Sequence, residues 1–223
     1  MTAVYLLRHP QTTWNVARRY QGRLESPVSE EGRRQARAAA AAFQPGDLGV
    51  VYSSPLGRAL VLAHELASAS GAPLVVDQRL TEMGQGRWEG LGATEIQSRY
   101  PRQYQTWYEA PATLRWSCFE ELSEVQRRAL SLLADVYDRH IGGQVAVVTH
   151  SVVIQSMVAA SLDLPLDSIH RLHISNGGIT TLCGTGAPGT LLSLNTIAPL
   201  YQSLVAAGEA EGCAEWRPVR KAS

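Results

Sequence analysis

The sequence lacks an excess of charge of either sign, because 20 Lys and Arg residues balance 20 Asp and Glu residues. A formal net charge of zero argues against broad electrostatic binding to nucleic acid or to an anionic membrane surface. We therefore expect neither nucleic acid nor a membrane among its partners. Any site that binds an anion must be a local cluster of cations.

Cysteine is scarce, and its placement excludes two common kinds of site. Cys118, Cys183 and Cys213 are odd in number, lie far apart and form no CxxC pair. They predict neither a disulfide framework nor a zinc site. The chain also lacks an apolar run of bilayer-spanning length and a charged and apolar leader ahead of its first strand-like segment. These absences together favour a cytoplasmic location.

Strand-like and helical segments alternate along the chain, which is typical of an α/β fold. The strand-like segments are 3–7, 49–52, 73–77 and 144–149, and the helical ones are 30–43, 55–70, 120–140 and 151–162. Two late strand-like segments, 178–183 and 190–194, predict an antiparallel hairpin. The order predicts a three-layer sandwich, in which a mostly parallel central sheet carries helices on both faces.

The segments lie close together along the chain, without a linker that would divide two domains. We expect one α/β domain over residues 1–205, followed by a flexible tail over 206–223 that is rich in Ala, Gly and Glu. Within the domain, Ser54 is predicted to cap a helix whose first position is Pro55, and Ser151 to cap a later one.

One segment departs from this alternation. Residues 91–122 are rich in aromatic side chains and interrupted by Pro101 and Pro111, which predicts short helices that cover something rather than strands of the sheet. The aromatic rings either form part of a pocket or bury one another as a small separate core. We expect Tyr104, Trp107 and Arg115 to influence substrate choice if this cover lies over a binding site.

Two short motifs carry no function. Residues 184–189 fit the GxGxxG pattern, but they join two predicted strands instead of a strand and a helix, which excludes the dinucleotide-binding interpretation. His64 and Glu65 lack a second histidine four residues after the first, so they form no zinc-protease motif.

Charged and imidazole side chains follow the ends of several strand-like segments. Arg8 and His9 end the first, Glu82 follows the third, and His150 ends the most strand-like run of the chain. Arg58 lies in the first turns of the helix after the second strand. Each residue taken alone is better explained without a function, as a solvated surface group or, for His150, as a satisfied polar residue in a turn. Because ligands bind at the carboxyl edge of such sheets, the residues together predict one pocket for a dianion.

A phosphoryl group matches this set of side chains. Two guanidinium groups pair with its oxygens, and helix N-termini add backbone N–H donors. One histidine can act as a nucleophile while the other donates to an equatorial oxygen, and a carboxylic acid can protonate the leaving alkoxide. Since arginine and histidine supply the positive charge, we expect no metal ion and no other cofactor.

The motifs that contain these residues resemble the histidine phosphatase superfamily, which includes the cofactor-dependent phosphoglycerate mutases. The resemblance begins with the Arg-His stretch at residues 8–15 and covers about residues 3–197. It continues through Tyr20-Gln21-Gly22, 27–32, 35–36, 52–59, 80–90, 147–151 and 176–180. It implies a phosphomonoesterase that hydrolyses a small phosphorylated metabolite through a phosphohistidine.

The resemblance assigns a role to each matching position. It implies His9 as the nucleophile, Arg8, Arg58 and His150 as the phosphate pocket, and Glu82 as the proton donor. It also places Asn15, Gln21 and Gly22 in the substrate-binding pocket. We expect Ser151 there as well, because its backbone amide follows His150 and can face the phosphate.

Three positions depart from the family pattern. Pro10 and Ser151 stand where glycines are usual, and Cys118-Phe119-Glu120-Glu121 stands where many members have Gly-Gly-Glu-Ser. Pro10 replaces none of the pocket residues, and Ser151 keeps the backbone amide that can face the phosphate. The third leaves the contacts at residues 118–121 undefined at this level.

Two alternatives to the phosphatase stay open at this level. A phosphoglycerate mutase would carry an Arg-Arg pair and further cations where this chain has Pro111-Ala112-Thr113-Leu114-Arg115-Trp116, which favours water as the acceptor. A non-catalytic phosphate-recognising module commonly lacks the nucleophile or the acid, and here both are present. Among phosphatases the chain is most similar to the metal-independent phosphoserine phosphatases. The sequence leaves the substrate unnamed and a homodimer open.

Overall fold

The protein, described by a computed structural model over residues 1–197, is built on one mixed sheet of six strands. The strands are β1 (Thr2–Arg8), β2 (Val50–Ser53), β3 (Leu74–Val76), β4 (Gln144–Thr149), β5 (Ile179–Gly184) and β6 (Thr190–Thr196). Their order across the sheet is β3-β2-β4-β1-β5-β6. The first four of these are parallel to one another, and β5 and β6 are antiparallel to their neighbours.

Helices cover both faces of the sheet, as the sequence predicts. They are α1 (Thr13–Val16), α2 (Glu30–Ala40), α3 (Gly57–Ser70), α4 (Ala93–Arg99), α5 (Pro101–Glu109), α6 (Leu122–Arg139) and α7 (Ser151–Ser161). Alternate residues of β1 point to opposite faces: Val4 and Leu6 pack in the core with α6 and α7, and Tyr5 and Leu7 pack in the core with α2 and α3. The three-layer fold and the late hairpin are thus confirmed.

The start of α3 differs from the prediction. The helix begins at Gly57 instead of Pro55, and Leu56 holds the N-cap position; Ser54 Oγ contacts His150 Nε2 at 2.8 Å and accepts from the Leu56 N–H at 3.3 Å. The Glu25 carboxylate, from a distant part of the chain, accepts from the Gly57 N–H at 2.7 Å instead. A long-range contact therefore replaces the local cap.

The start of α7 also differs by one residue. Ser151 is the first helical residue, and His150 holds the N-cap position with an extended backbone (φ −130°, ψ 168°). The Ser151 hydroxyl donates to Glu82 Oε2 at 3.4 Å, so this side chain does not cap the helix. By contrast, Ser29 caps α2 as predicted, since its side chain accepts from the Gly32 N–H at 3.0 Å.

The remaining segments follow the predictions where the structure describes them. Gly184 ends β5 and residues 185–189 connect it to β6, so the GxGxxG pattern lies in a hairpin. The predicted tail at 206–223 lies outside the described residues, as does the end of the predicted domain. None of the helices within residues 1–197 is long and apolar enough to cross a membrane.

Trp88, just before the cover segment (residues 91–122), is the centre of the aromatic packing of that segment. It ends a short 3-10 helix (Gly86–Trp88), is fully buried, and forms edge or tilted ring contacts with five neighbours. These partners are Tyr20, Tyr104, Trp107, Trp116 and Phe119, at centroid distances of 5.0–6.4 Å. The cluster is part of the core that includes α6 and α7, so the cover belongs to the main core and forms no separate one.

We expect Trp88→Ala to lower the free energy of unfolding by about 3–5 kcal/mol, because it removes a buried indole that touches five rings. Urea unfolding followed by far-UV circular dichroism measures the effect. Ile141→Ala, at a side chain that is 83% exposed, should change stability by less than about 0.5 kcal/mol. A loss below about 1 kcal/mol for Trp88→Ala would show that the cover contributes little to the core.

Candidate active site

A cavity of about 280 Å³ opens at the carboxyl edge of the sheet. Eight of the nine predicted site residues line it: Arg8, His9, Asn15, Gln21, Gly22, Arg58, Glu82 and Ser151. The ninth, His150, is fully buried beside the cavity, with its ring centroid 5.2 Å from that of His9. The fold therefore brings the predicted constellation together.

His9 is held as a neutral imidazole with one nitrogen available. Its backbone N–H donates to the Thr149 carbonyl at 2.9 Å, which fixes the residue against β4. Its Nδ1 lies 2.8 Å from the Pro10 carbonyl, and because a carbonyl only accepts, Nδ1 must carry the hydrogen. The Nε2 lone pair is then left for reaction. Burial, reinforced by the charges of Arg8 and Arg58, holds the pKa of His9 well below its usual value.

The contact from His9 also accounts for Pro10, the first departure from the family pattern. Proline lacks an N–H, but its carbonyl is intact, and this oxygen is the group that accepts from His9 Nδ1. Pro10 is therefore compatible with the orientation of the imidazole.

Two buried arginines flank the imidazole and are oriented by backbone carbonyls. Arg8 donates to the Ile174 carbonyl at 2.6 Å, and Arg58 donates to the carbonyls of Gly22 and Leu24 at 2.6 and 2.8 Å. The Nε of each is buried without a hydrogen-bond partner among residues 1–197. Burial lowers the pKa of Arg8 to about 10 and also lowers that of Arg58, yet both groups stay charged at neutral pH.

His150 lies behind His9 and is oriented by Ser54. Its Nε2 is 2.8 Å from Ser54 Oγ, and this oxygen already accepts from the Leu56 N–H. We assign the Ser54 hydroxyl as the donor to Nε2, which leaves the hydrogen on Nδ1, a buried atom that has no partner in the described part of the chain. Burial, with the charges of Arg58 and its neighbours, lowers the pKa of His150 well below its usual value.

The position and the raised pKa of Glu82 suit it to act as an acid. Its carboxyl group is nearly buried, accepts from the Met83 N–H at 2.9 Å, and accepts from the Ser151 hydroxyl at 3.4 Å. Burial raises the pKa of Glu82 above its usual value, despite the opposing effects of the Met83 N–H and of Arg58 and Arg8. The group therefore keeps its proton to a higher pH than an exposed glutamate does.

Glu120 fixes the loop that carries Glu82. Its carboxylate accepts from the Gly84 N–H at 3.1 Å and from Arg23 and Arg128 at 2.8–3.1 Å, and its own N–H donates to the Gly84 carbonyl at 2.8 Å. This network gives a structural role to the stretch 118–121, whose contacts the sequence left undefined.

The segment opposite Glu82 is organised by hydrogen bonds around Thr12. Asn15 Oδ1 and Gln21 Oε1 each accept from the Thr12 hydroxyl at 3.0 Å. Gly22 has φ +51°, and a Cβ there would collide with the Glu89 side chain. Glycine adopts this conformation without strain and without displacing the Glu89 side chain, and its carbonyl orients Arg58.

Several lining residues were missed by the sequence-based prediction. They are Arg18, Arg19, Tyr20, Gln85, Val152, Gln155 and His170. Arg18 and Arg19 lie between Asn15 and Gln21, so chain continuity was an available signal for them. Gln155 and His170 reach the cavity from α7 and from a 3-10 helix (Leu166–Arg171), and no local pattern distinguishes them from surface residues.

The cover segment reaches the cavity through two of its aromatic residues. Trp107 and Tyr108 line the cavity, whereas Tyr104 packs against Trp88 and Tyr108. Arg115, expected near the leaving group, instead pairs with Glu121 at 2.9 Å away from the cavity. In residues 1–197, no group of three or more His, Cys, Asp or Glu side chains is placed to hold a metal ion.

The sequence of the whole described region matches one family. The model of the "Histidine phosphatase superfamily (branch 1)" matches residues 4–197. The chain belongs to the histidine phosphatase superfamily. This confirms the resemblance carried by the motifs around His9, Arg58, Glu82 and His150.

Relatives of this histidine phosphatase superfamily member include proteins named as phosphatases and as mutases. It is 31% identical to "Phosphoserine phosphatase 1" of Hydrogenobacter thermophilus, over 94% of this chain and 100% of that protein. It is 29% identical to "Probable phosphoglycerate mutase GpmB" of an Enterobacter species, over 82% of this chain and 85% of that protein. The structure of a mycobacterial glucosyl-3-phosphoglycerate phosphatase in complex with VO3 superposes with a TM-score of 0.79 and 32% sequence identity. The superposition covers 87% of this chain and 99% of that one.

The two buried histidines of this superfamily member predict a loss of stability in acid. A folded-state pKa well below 6.5 means that the unfolded chain binds protons first, so stability is present above pH 6.5 and is lost as the pH falls below it. We expect His150→Gln to remove about 1 kcal/mol of the difference in unfolding free energy between pH 7.5 and pH 5.5.

Urea unfolding at both pH values measures this effect. His64→Gln, at an exposed residue of α3, is the matched control and should keep the full pH dependence. An unchanged pH dependence in His150→Gln would contradict the inference that the folded protein holds this imidazole neutral.

Proposed function

We propose that this protein is a metal-independent phosphomonoesterase that hydrolyses a small phosphorylated metabolite through a phosphohistidine on His9. The observation that carries the proposal is the neutral His9 imidazole between Arg8 and Arg58, whose buried Nε groups lack partners among the described residues. A nucleophile flanked by two unneutralised cations is suited to a phosphoryl dianion. We further propose that residues 1–205 form one catalytic domain.

In the first step, the Nε2 lone pair of His9 attacks phosphorus, and the bond from phosphorus to the ester oxygen breaks. Glu82 gives its proton to the departing alkoxide, which leaves as an alcohol. Arg8, Arg58 and the Nδ1–H of His150 hydrogen-bond the equatorial oxygens, where negative charge is held in the transition state.

In the second step, water attacks the phosphohistidine. The ionised Glu82 takes a proton from this water, the bond from phosphorus to Nε2 breaks, and inorganic phosphate leaves. His9 returns to its neutral form and Glu82 to its protonated form. The raised pKa of Glu82 suits this exchange, because the group must hold a proton in one step and accept one in the next.

The segment 91–122, where the mutases carry their extra cations, contributes only Trp107 and Tyr108 to the cavity, which favours water over a second organic acceptor. A mutase must retain a doubly phosphorylated intermediate, and Arg115, the cation nearest in sequence to the mutases' Arg-Arg pair, faces Glu121 outside the cavity. The mutase is therefore the less supported alternative. A non-catalytic module is disfavoured because both His9 and Glu82 line the cavity.

Two thiols support a location in the cytoplasm as part of the proposal. Cys118 and Cys183 are both unpaired in the described structure, one exposed and one buried. Free thiols persist where the surroundings are reducing.

The proposal predicts that His9→Ala forms no labelled enzyme and loses turnover by roughly a thousandfold or more. Rapid-quench mixing with a 32P-labelled phosphomonoester, in a buffer containing EDTA, should trap acid-labile, alkali-stable label on the unaltered protein. His64→Ala, at an exposed residue of α3, should label normally. Label or turnover retained in His9→Ala, with the fold intact by circular dichroism, would refute the assignment.

A second prediction isolates the acid. Glu82→Gln should lower kcat on an alkyl phosphate by roughly 10²–10⁴-fold, because an alkoxide leaves slowly without a proton. The kcat on p-nitrophenyl phosphate should fall far less, since nitrophenolate leaves unprotonated.

The control for this experiment is Glu121→Gln, at a half-exposed carboxylate that does not line the cavity. It should leave both substrates unaffected. Equal losses on the alkyl and the aryl substrate in Glu82→Gln would show that Glu82 supports the site without donating a proton.

A further inference from the structure

We propose that Arg18 binds a carboxylate on the leaving group, so that the substrate is a phosphomonoester of a small hydroxy acid. The inference rests on the proposed function, because it concerns the outer part of the same cavity. It is argued from the charges of the cavity wall, from the backbone of Arg18 and from its position at the rim.

The charges of the cavity wall leave one cation without a partner. Arg8 and Arg58 are assigned to the phosphoryl group, and Arg19 contacts the Gly90 carbonyl and lies 3.7 Å from Glu95. Arg18 lines the cavity with no ion pair within residues 1–197. Among the described residues that line the cavity, Glu82 is the single carboxyl group, and it forms no ion pair with Arg18.

The facing wall contributes no charge that could satisfy this cation. His170 donates from Nε2 to the Trp107 carbonyl at 2.7 Å, and burial lowers the pKa of His170, so this ring is neutral. Gln155 donates from Nε2 to the Leu172 carbonyl at 2.6 Å. A ligand in this cavity therefore meets an unpaired guanidinium at Arg18 and no opposing charge from His170 or Gln155.

The backbone of Arg18 is a second, independent observation. Its φ is +52°, in the left-handed region, which costs a residue with a side chain about 1 kcal/mol or more. The conformation is fixed by N–H bonds from Arg18 to the Asn15 carbonyl and from Arg19 to the Trp14 carbonyl. Glycine would adopt it without this cost. A strained arginine that points to a cavity is typical of a functional position.

The position of Arg18 separates its ligand from the phosphoryl group. Arg58 is 1% exposed at the base of the cavity, whereas Arg18 is exposed at its rim. A group that reaches Arg18 therefore belongs to the part of the substrate that extends outward. One guanidinium balances the single negative charge of a carboxylate, whereas the phosphoryl dianion is met by two arginines at the base. This favours a carboxylate over a second phosphate.

Matched substrates test the inference directly. Phosphoserine and O-phosphoethanolamine differ by one carboxylate, and 3-phosphoglycerate and glycerol 3-phosphate differ by a carboxylate in place of a hydroxymethyl group. We expect the unaltered protein to prefer the carboxylate member of at least one pair. Arg18→Gln should lower kcat/KM for that member by tenfold or more and change the other member by less than twofold.

Two further variants separate binding from structural effects. Arg37→Gln, at an exposed arginine of α2 outside the cavity, should leave both members of each pair unchanged. Arg18→Gly should lose the same preference as Arg18→Gln while unfolding at an equal or higher urea concentration, because glycine relieves the backbone strain. A purely structural role for Arg18 would lower stability and activity together.

The outcomes distinguish this inference from the proposed function. Equal losses on both members of a pair, or no carboxylate preference in the unaltered protein, would overturn the role of Arg18 while hydrolysis itself is intact. Absence of hydrolysis on all four compounds and on p-nitrophenyl phosphate would overturn the proposed function, and the inference with it.

Discussion

The main-chain pairing of β1 with β4 is the constraint on which the site depends. Arg8 pairs with Thr149 across the parallel ladder, and the His9 N–H donates to the Thr149 carbonyl at 2.9 Å. His9 and His150 each follow the last residue of their strand, so this register brings the two imidazoles side by side. A slip of one residue would turn alternate side chains to the opposite face and would separate the two rings.

Burial of charge provides the electrostatics that this geometry uses. The chain as a whole is neutral, yet Arg8 and Arg58 are held at one edge of the sheet by carbonyl oxygens. Carbonyl oxygens offset part of the desolvation cost without cancelling the positive charge. The same field and the same burial lower the pKa values of His9 and His150, while burial raises the pKa of Glu82. One physical cause therefore prepares the nucleophile, the anion site and the acid.

The residues assigned to the reaction lie at the base of the cavity, and those expected to select the substrate lie nearer its opening. The base consists of buried groups that superfamily motifs contain, fixed by the sheet and by the Glu120 network under Glu82. The outer part consists of Trp107, Tyr108 and the exposed Arg18, which come from the cover segment and from the segment after α1. Because Trp107 also belongs to the aromatic core around Trp88, the wall facing the leaving group is supported by the packing of the whole domain.

The sequence by itself determined the fold class and the base of the site, because strand ends and family motifs are local patterns that place Arg8, His9 and His150 at one edge. Only the tertiary structure decided which distant groups complete them. The Glu25 carboxylate accepts from the N–H of Gly57, the first residue of α3, and Glu121 forms an ion pair with Arg115 outside the cavity. No sequence motif marks His170 or Arg18 as part of the site. Their places in the cavity depend on packing between segments that are remote in the chain.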